Sequence, residues 1–152
     1  MTATVTLAFL HHAAAFLVVA AVTVELILIR AELTAASARS LLRMDALYGI
    51  AATVVVVVGL LRVFYTEKGA AYYFHSGAFI AKISLFVIAG LLSIYPTKQF
   101  LPWRKTLRQQ QVPALTAEKR RAIRTILHIE LTLFLALMLF AAMMARGVGF
   151  VS

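Results

Sequence analysis

The 152-residue chain has 62% hydrophobic and 14% charged side chains, a formal net charge of +9 and no cysteine. That composition is too apolar for an ordinary soluble domain and places the chain in a bilayer. The lack of cysteine excludes disulfides, thiolate metal sites and thiol chemistry, so redox work here would need a bound cofactor.

Four apolar stretches are long enough to span a hydrocarbon core about 30 Å thick, over about 4–30, 44–65, 78–95 and 116–146. The first is preceded by no basic residue and is too long for a signal-peptide core, so it reads as a permanent helix. Its stripe of His11, Ala15, Val18, Val22 and Glu25 is small-sided, as a helix contact should be. His12 is rotated by about 100° from His11, so the two imidazoles cannot both face one centre.

On the second helix Tyr48, Val55, Gly59 and Arg62 share a stripe, and Asp45 lies at the opposite boundary. The connection after it contains Glu67, Lys68, Tyr72, Tyr73 and His75. The third helix aligns Lys82, Phe86, Ala89 and Ser93 and is expected to end at Pro96. Residues 96–115 then read as an interfacial cytoplasmic loop with Trp103 among Arg and Lys. Thr116 starts the fourth helix, which carries His128, Glu130 and Arg146 and stops at Gly147.

Arg30, Arg39 and Arg43 flank the first connection, and Lys98, Arg104, Lys105, Arg108, Lys119, Arg120, Arg121 and Arg124 flank the third. The positive-inside rule puts both in the cytoplasm and both termini outward, as expected of a multi-pass protein of the bacterial inner membrane. The positive charge is thus a topology signal with attraction to anionic lipid, and nucleic acid is not an implied partner.

The polar groups separate into two layers. An outer one holds His11, His12, Arg62, Lys82 and Arg146, joined by Tyr72, Tyr73 and His75, with Glu67 as its single acid. An inner one holds Glu25, Asp45, His128 and Glu130 beside Arg30, Arg43 and Arg124 and balances its own charge. Plain roles exist for each residue: snorkelling for Lys82 and Arg146, an aromatic belt for Tyr72 and Tyr73, boundary ion pairs for Asp45 and Glu130. The outer layer as a whole still lacks an anion. A porphyrin with its carboxylates, or an electron-rich quinone head group, would fill that role.

In this reading Arg62 and Lys82 hold the ligand, Tyr72, Tyr73 and His75 close the mouth, and His11 or His12 relays a proton or ligates the iron of a haem b. Pairing either with His128 across one haem would need to bridge an offset of about 10 Å in depth. No histidine pair has i,i+4 spacing and the acids are few and scattered, which argues against zinc or di-iron sites. Two other classes fit the same residues: an accessory subunit of a larger membrane complex, or a small transporter component working as a homo-oligomer.

The segment from "ALYGIAATVVVVVGLLRVFY" through "KGAAYYFHSGAFIAK" to "LLSIYPTKQFLPWR", with "RMDALYG", the earlier "HH" and the later "ARGVG", resembles the bacterial membrane-protein family known as domain of unknown function 2214. More distantly it is similar to HemJ-type protoporphyrinogen oxidases and CopD-like proteins. The matching positions are His11 or His12, Gly59 with Arg62, and Lys82. That resemblance implies a haem b or porphyrin site and electron transfer into the quinone pool. The HemJ-type pattern also has a histidine shortly before the lysine, and Phe79 stands there in this chain. The expected fold is an all-α, integral membrane four-transmembrane-helix bundle.

Overall fold

A computed structural model of the protein describes residues 2–66 and 75–146. Its order is α1 (Thr2–Arg30), α2 (Ala35–Leu61), a π-helical turn (Arg62–Thr66), α3 (Gly77–Phe100), α4 (Trp103–Arg108) and α5 (Ala117–Ala145). The α1, α2, α3 and α5 helices are long and apolar enough to cross a membrane. The protein is an all-α bundle, and α1 shows why it is a membrane one. Phe9, Phe16 and Ile27 are exposed on its outside while Val18, Ala21 and Val22 are buried, so the helix is hydrophobic on every side.

α2 begins well before the expected residue 44. Thr34 and Ser37 form a capping box: the Ser37 N–H donates to Thr34 Oγ1 at 3.1 Å, and the Thr34 N–H donates to Ser37 Oγ at 2.8 Å. The added turns are polar outside but bury Ala38 and Leu41, which an apolar-run criterion does not detect.

α3 does not end at Pro96. It runs through this buried proline to Phe100, and the Leu101 N–H donates to the Thr97 carbonyl at 2.9 Å, so the ladder resumes within a turn. A proline inside a membrane helix is tolerated because neighbouring groups take up the freed backbone. The segment 96–115 is therefore not a loop throughout: its first part completes α3 and its middle is α4. Trp103 opens α4, is 5% exposed, and stacks against Phe100 with centroids 4.9 Å apart.

The core joins Val22 and Ile29 of α1, Ala38, Leu41 and Ala51 of α2, Ala89 and Phe100 of α3, and Ile123, Leu127 and Phe134 of α5. α1 packs closely on α2, and α3 on α5, with small residues such as Ala21, Ala38, Ala51 and Ala89 at the contacts. α2 and α3 touch far less. The tight connection after α1 is pinned by Arg120, whose Nη1 donates to the carbonyls of Ala31 (2.6 Å) and Ile29 (3.4 Å), satisfying acceptors at the α1 C-terminus.

Candidate functional site

The gap between α2 and α3 leads into a cavity of about 280 Å³ bounded by α1, α2, α3 and α5. Its lining is almost wholly apolar, with Val55, Phe79, Phe86, Phe134 and Met144 among it. Val56, Leu60, Ile83, Val87 and Met138 line the cavity yet stay exposed, so in a bilayer its mouth meets lipid rather than water. Three basic side chains reach it: His11 from α1, Arg62 from the π-helical turn, and Lys82 from α3. No carboxylate is among the described lining residues.

Each basic group has a definite place. Nδ1 of His11 is buried and makes no hydrogen bond of good geometry, although the backbone of Val55 stands within hydrogen-bonding reach of the ring. Gly59 makes room for that ring: a Cβ built there would lie 3.1 Å from His11 Cε1 and 3.5 Å from Nδ1. Lys82 places Nζ 5.4 Å from the centroid of the Phe79 ring, a cation–π contact. Arg62 has interactions of its own, and it lines the cavity together with His11 and Lys82. The positive charges of Arg62 and Lys82 also act on His11 and on each other.

The predicted outer layer thus comes together only in part. His12 is exposed on the outside of α1 and its Nδ1–H donates to the Ala8 carbonyl at 2.6 Å; its ring stands edge-on to His11, 6.0 Å away. His75 lies exposed in the turn before Ser76 and does not line the cavity. Arg146 is exposed at the C-cap of α5, also off the lining. Tyr72, Tyr73 and Glu67 lie outside the described residues. His128 belongs to the opposite end of the bundle. Its Nδ1–H donates to the Arg124 carbonyl at 2.6 Å, and Nε2 accepts from Arg30 Nη2 at 2.8 Å. Both ring nitrogens are thus hydrogen-bonded, and His128 does not line the cavity that receives His11.

The inner layer is built differently from the expected arginine–carboxylate pairs. Glu25 and Glu130 are 3% and 1% exposed, and with Asp45 they form a group of three mutually repelling carboxyls. Their partners are neutral. The Tyr48 hydroxyl donates to Glu130 Oε1 at a long 3.5 Å, and Thr97 Oγ1 donates to Asp45 Oδ1 at 2.6 Å. Glu25 Oε1 has no partner. Arg104 attracts Asp45 from the boundary, while Arg30 and Arg120 go to an imidazole and to carbonyls. Among the described residues no group of three or more His, Asp or Glu is arranged to hold a metal ion.

Three features of the site were not read from sequence. Met144 and Val63 pack with Phe79 on the cavity lining, Phe134 lines it and packs beside Tyr48, and Thr97 partners Asp45. The first two carry no chemical signal, only size; Thr97 follows Pro96, a residue type that ordinarily marks a helix end.

The chain belongs to the family described as predicted membrane protein, domain of unknown function 2214, whose model matches residues 3–149. Neither a curated protein nor a solved structure matches it.

Proposed function

We propose that this member of the family binds, from within the bilayer, a lipid-soluble molecule whose polar head enters the cavity and whose apolar part leaves between α2 and α3. The observation that carries the reading is the buried, unbonded Nδ1 of His11 on the wall of an apolar cavity that also receives Lys82. A buried polar nitrogen without a partner is costly, and a ligand oxygen would remove that cost.

A quinone head group suits these groups best. Its two ring oxygens are acceptors; Lys82 donates from an ammonium, and the imidazole of His11 donates from its N–H. The aromatic lining of Phe79, Phe86 and Phe134 suits a flat ring, and the exposed aliphatic mouth suits an isoprenoid tail. The volume of about 280 Å³ lies just below the range of sites that enclose drug-sized molecules, roughly 300–1,000 Å³. A single ring with its tail in lipid needs no more.

A porphyrin is the second reading, favoured by the two cations Arg62 and Lys82 at the cavity, which match carboxylate substituents. Haem would there have His11 as its one axial ligand, supplying redox chemistry of the HemJ-like kind. Phe79, at the place of the histidine in the HemJ-type pattern, offers no ligand and packs beneath Lys82 instead.

The experiment is equilibrium binding of a short-tailed benzoquinone or naphthoquinone to the full-length protein in nanodiscs, with a visible spectrum recorded before and after adding haemin. His11→Ala and Lys82→Met are expected to weaken quinone binding by roughly tenfold or more, since hydrogen bonds to charged groups contribute about 1.5–3 kcal/mol. His12→Ala should leave it unchanged. A Soret band abolished by His11→Ala, without quinone binding, would replace the quinone by haem; absence of both would overturn the binding reading.

A further inference from the structure

At the arginine-rich end of the bundle, α2 and α4 meet in an open groove lined by five residues: Arg39 and Leu42 from α2, and Arg104, Leu107 and Arg108 from α4. Each helix contributes in the same pattern. Arg39 and Leu42 are three apart, and Arg104, Leu107 and Arg108 stand at i, i+3 and i+4, so on both helices the basic and apolar side chains share one face. Arg39, Arg104 and Arg108 are exposed, whereas Leu42 and Leu107 are half-buried beneath them. Other arginines nearby are committed to the fold: Arg30 to His128 and Arg120 to two carbonyls. Asp45 balances part of the charge of Arg104, and among the described residues no acid lines the groove.

The groove is also held in place. α4 is short, but Trp103 at its start is buried against Phe100, and that contact fixes the direction in which Arg104 and Arg108 leave the core. Guanidinium groups from two separate helices, converging over an apolar floor, form a site for a phosphate attached to something greasy. A free phosphate would have no use for the two leucines. The basic connections lie at this end, which the positive-inside rule assigns to the leaflet rich in anionic lipid, where basic pockets between helices take up lipid head groups.

We propose that Arg39, Arg104 and Arg108 clamp the phosphodiester of an anionic phospholipid, with Leu42 and Leu107 against its glycerol and first acyl carbons. This site lies apart from the cavity of His11 and stands or falls independently of it.

The test is native mass spectrometry of the full-length protein released from nanodiscs of phosphatidylcholine with and without phosphatidylglycerol. The wild-type protein is expected to retain phosphatidylglycerol in preference to phosphatidylcholine, and each of Arg39→Gln, Arg104→Gln and Arg108→Gln to weaken that preference roughly fivefold. A triple variant of exposed cations outside the groove, Lys98→Gln with Lys119→Gln and Arg121→Gln, removes the same charge and should retain the lipid. Equal loss in this control and in a triple Arg39→Gln, Arg104→Gln, Arg108→Gln variant, with helicity by circular dichroism unchanged in both, would reduce the effect to general surface charge and overturn the clamp. Displacement of the lipid by inorganic phosphate at constant ionic strength would overturn the lipid assignment in favour of a free anion.

Discussion

Gly59 faces His11 so closely that a Cβ there would approach the imidazole Cε1 to 3.1 Å. The glycine is not a turn or a hinge: it sits inside α2, where glycine is about 1 kcal/mol worse than alanine in a helix. Space for the ring is what it supplies. Gly59→Ala should therefore leave stability within about 1 kcal/mol, the propensity gain offsetting the crowding, while forcing the imidazole to shift and lowering quinone affinity severalfold. Gly59→Val, with two more carbons, should abolish binding. Thermal unfolding and quinone titration on the same samples check this; unaltered affinity in both variants would detach His11 from the site.

The contact between Arg30 and His128 joins α1 to α5 and sits away from the cavity. His128→Ala removes the acceptor of a charged donor and should cost about 1–2 kcal/mol in denaturant unfolding. Quinone affinity and any haem spectrum should not change. A lost Soret band in His128→Ala would instead place His128 at an iron and contradict the separation of the two ends.

The four spans were legible because hydrocarbon tolerates no substitute for about 20 apolar residues, and the inward stripe of α1 because a helix repeats every 3.6 residues. His11 and Glu25 both lie on the buried side as that period requires, and His12 does not. Helix ends were less legible, since Thr34 and Ser37 cap α2 inside a polar stretch and Pro96 is absorbed by α3. Partners across helices were not legible at all. Arg30 and His128 are 98 residues apart, and Arg39 meets Arg104 and Arg108 only because Trp103 packs on Phe100. Charge balance suggested arginine–carboxylate pairs, but the geometry gives those carboxyls to Tyr48 and Thr97.

α4 ends in a Schellman motif: the Gln111 N–H donates to the Thr106 carbonyl at 3.2 Å and the Gln110 N–H to the Leu107 carbonyl at 3.2 Å. Gln110 occupies the left-handed position with φ of 58°, which glycine adopts at no steric cost. Gln110→Gly should raise stability by roughly 0.5–1 kcal/mol, and Gln110→Val should lower it by more than that. Unfolding curves in detergent compare the three. A stabilising valine would be incompatible with the left-handed backbone.

Glu25 and Glu130 sit in the same buried group of carboxyls, and substitutions at Glu25 and at Tyr48, the donor to Glu130, should change stability with opposite signs. Glu25 Oε1 has no hydrogen-bond partner, and Asp45 and Glu130 repel its charge. Glu25→Gln keeps the shape and removes the ionisable group that Asp45 and Glu130 oppose, so stability should rise by about 1 kcal/mol. Tyr48→Phe also nearly preserves shape but takes away the hydroxyl that donates to Glu130, leaving a carboxyl that is 1% exposed without that donor; it should cost about 1–3 kcal/mol. The two variants, each compared with the wild type by unfolding in mixed micelles, separate packing from polar satisfaction because neither opens a large cavity. Destabilisation by Glu25→Gln as large as that by Tyr48→Phe would mean that the Glu25 carboxyl itself is required by its neighbours.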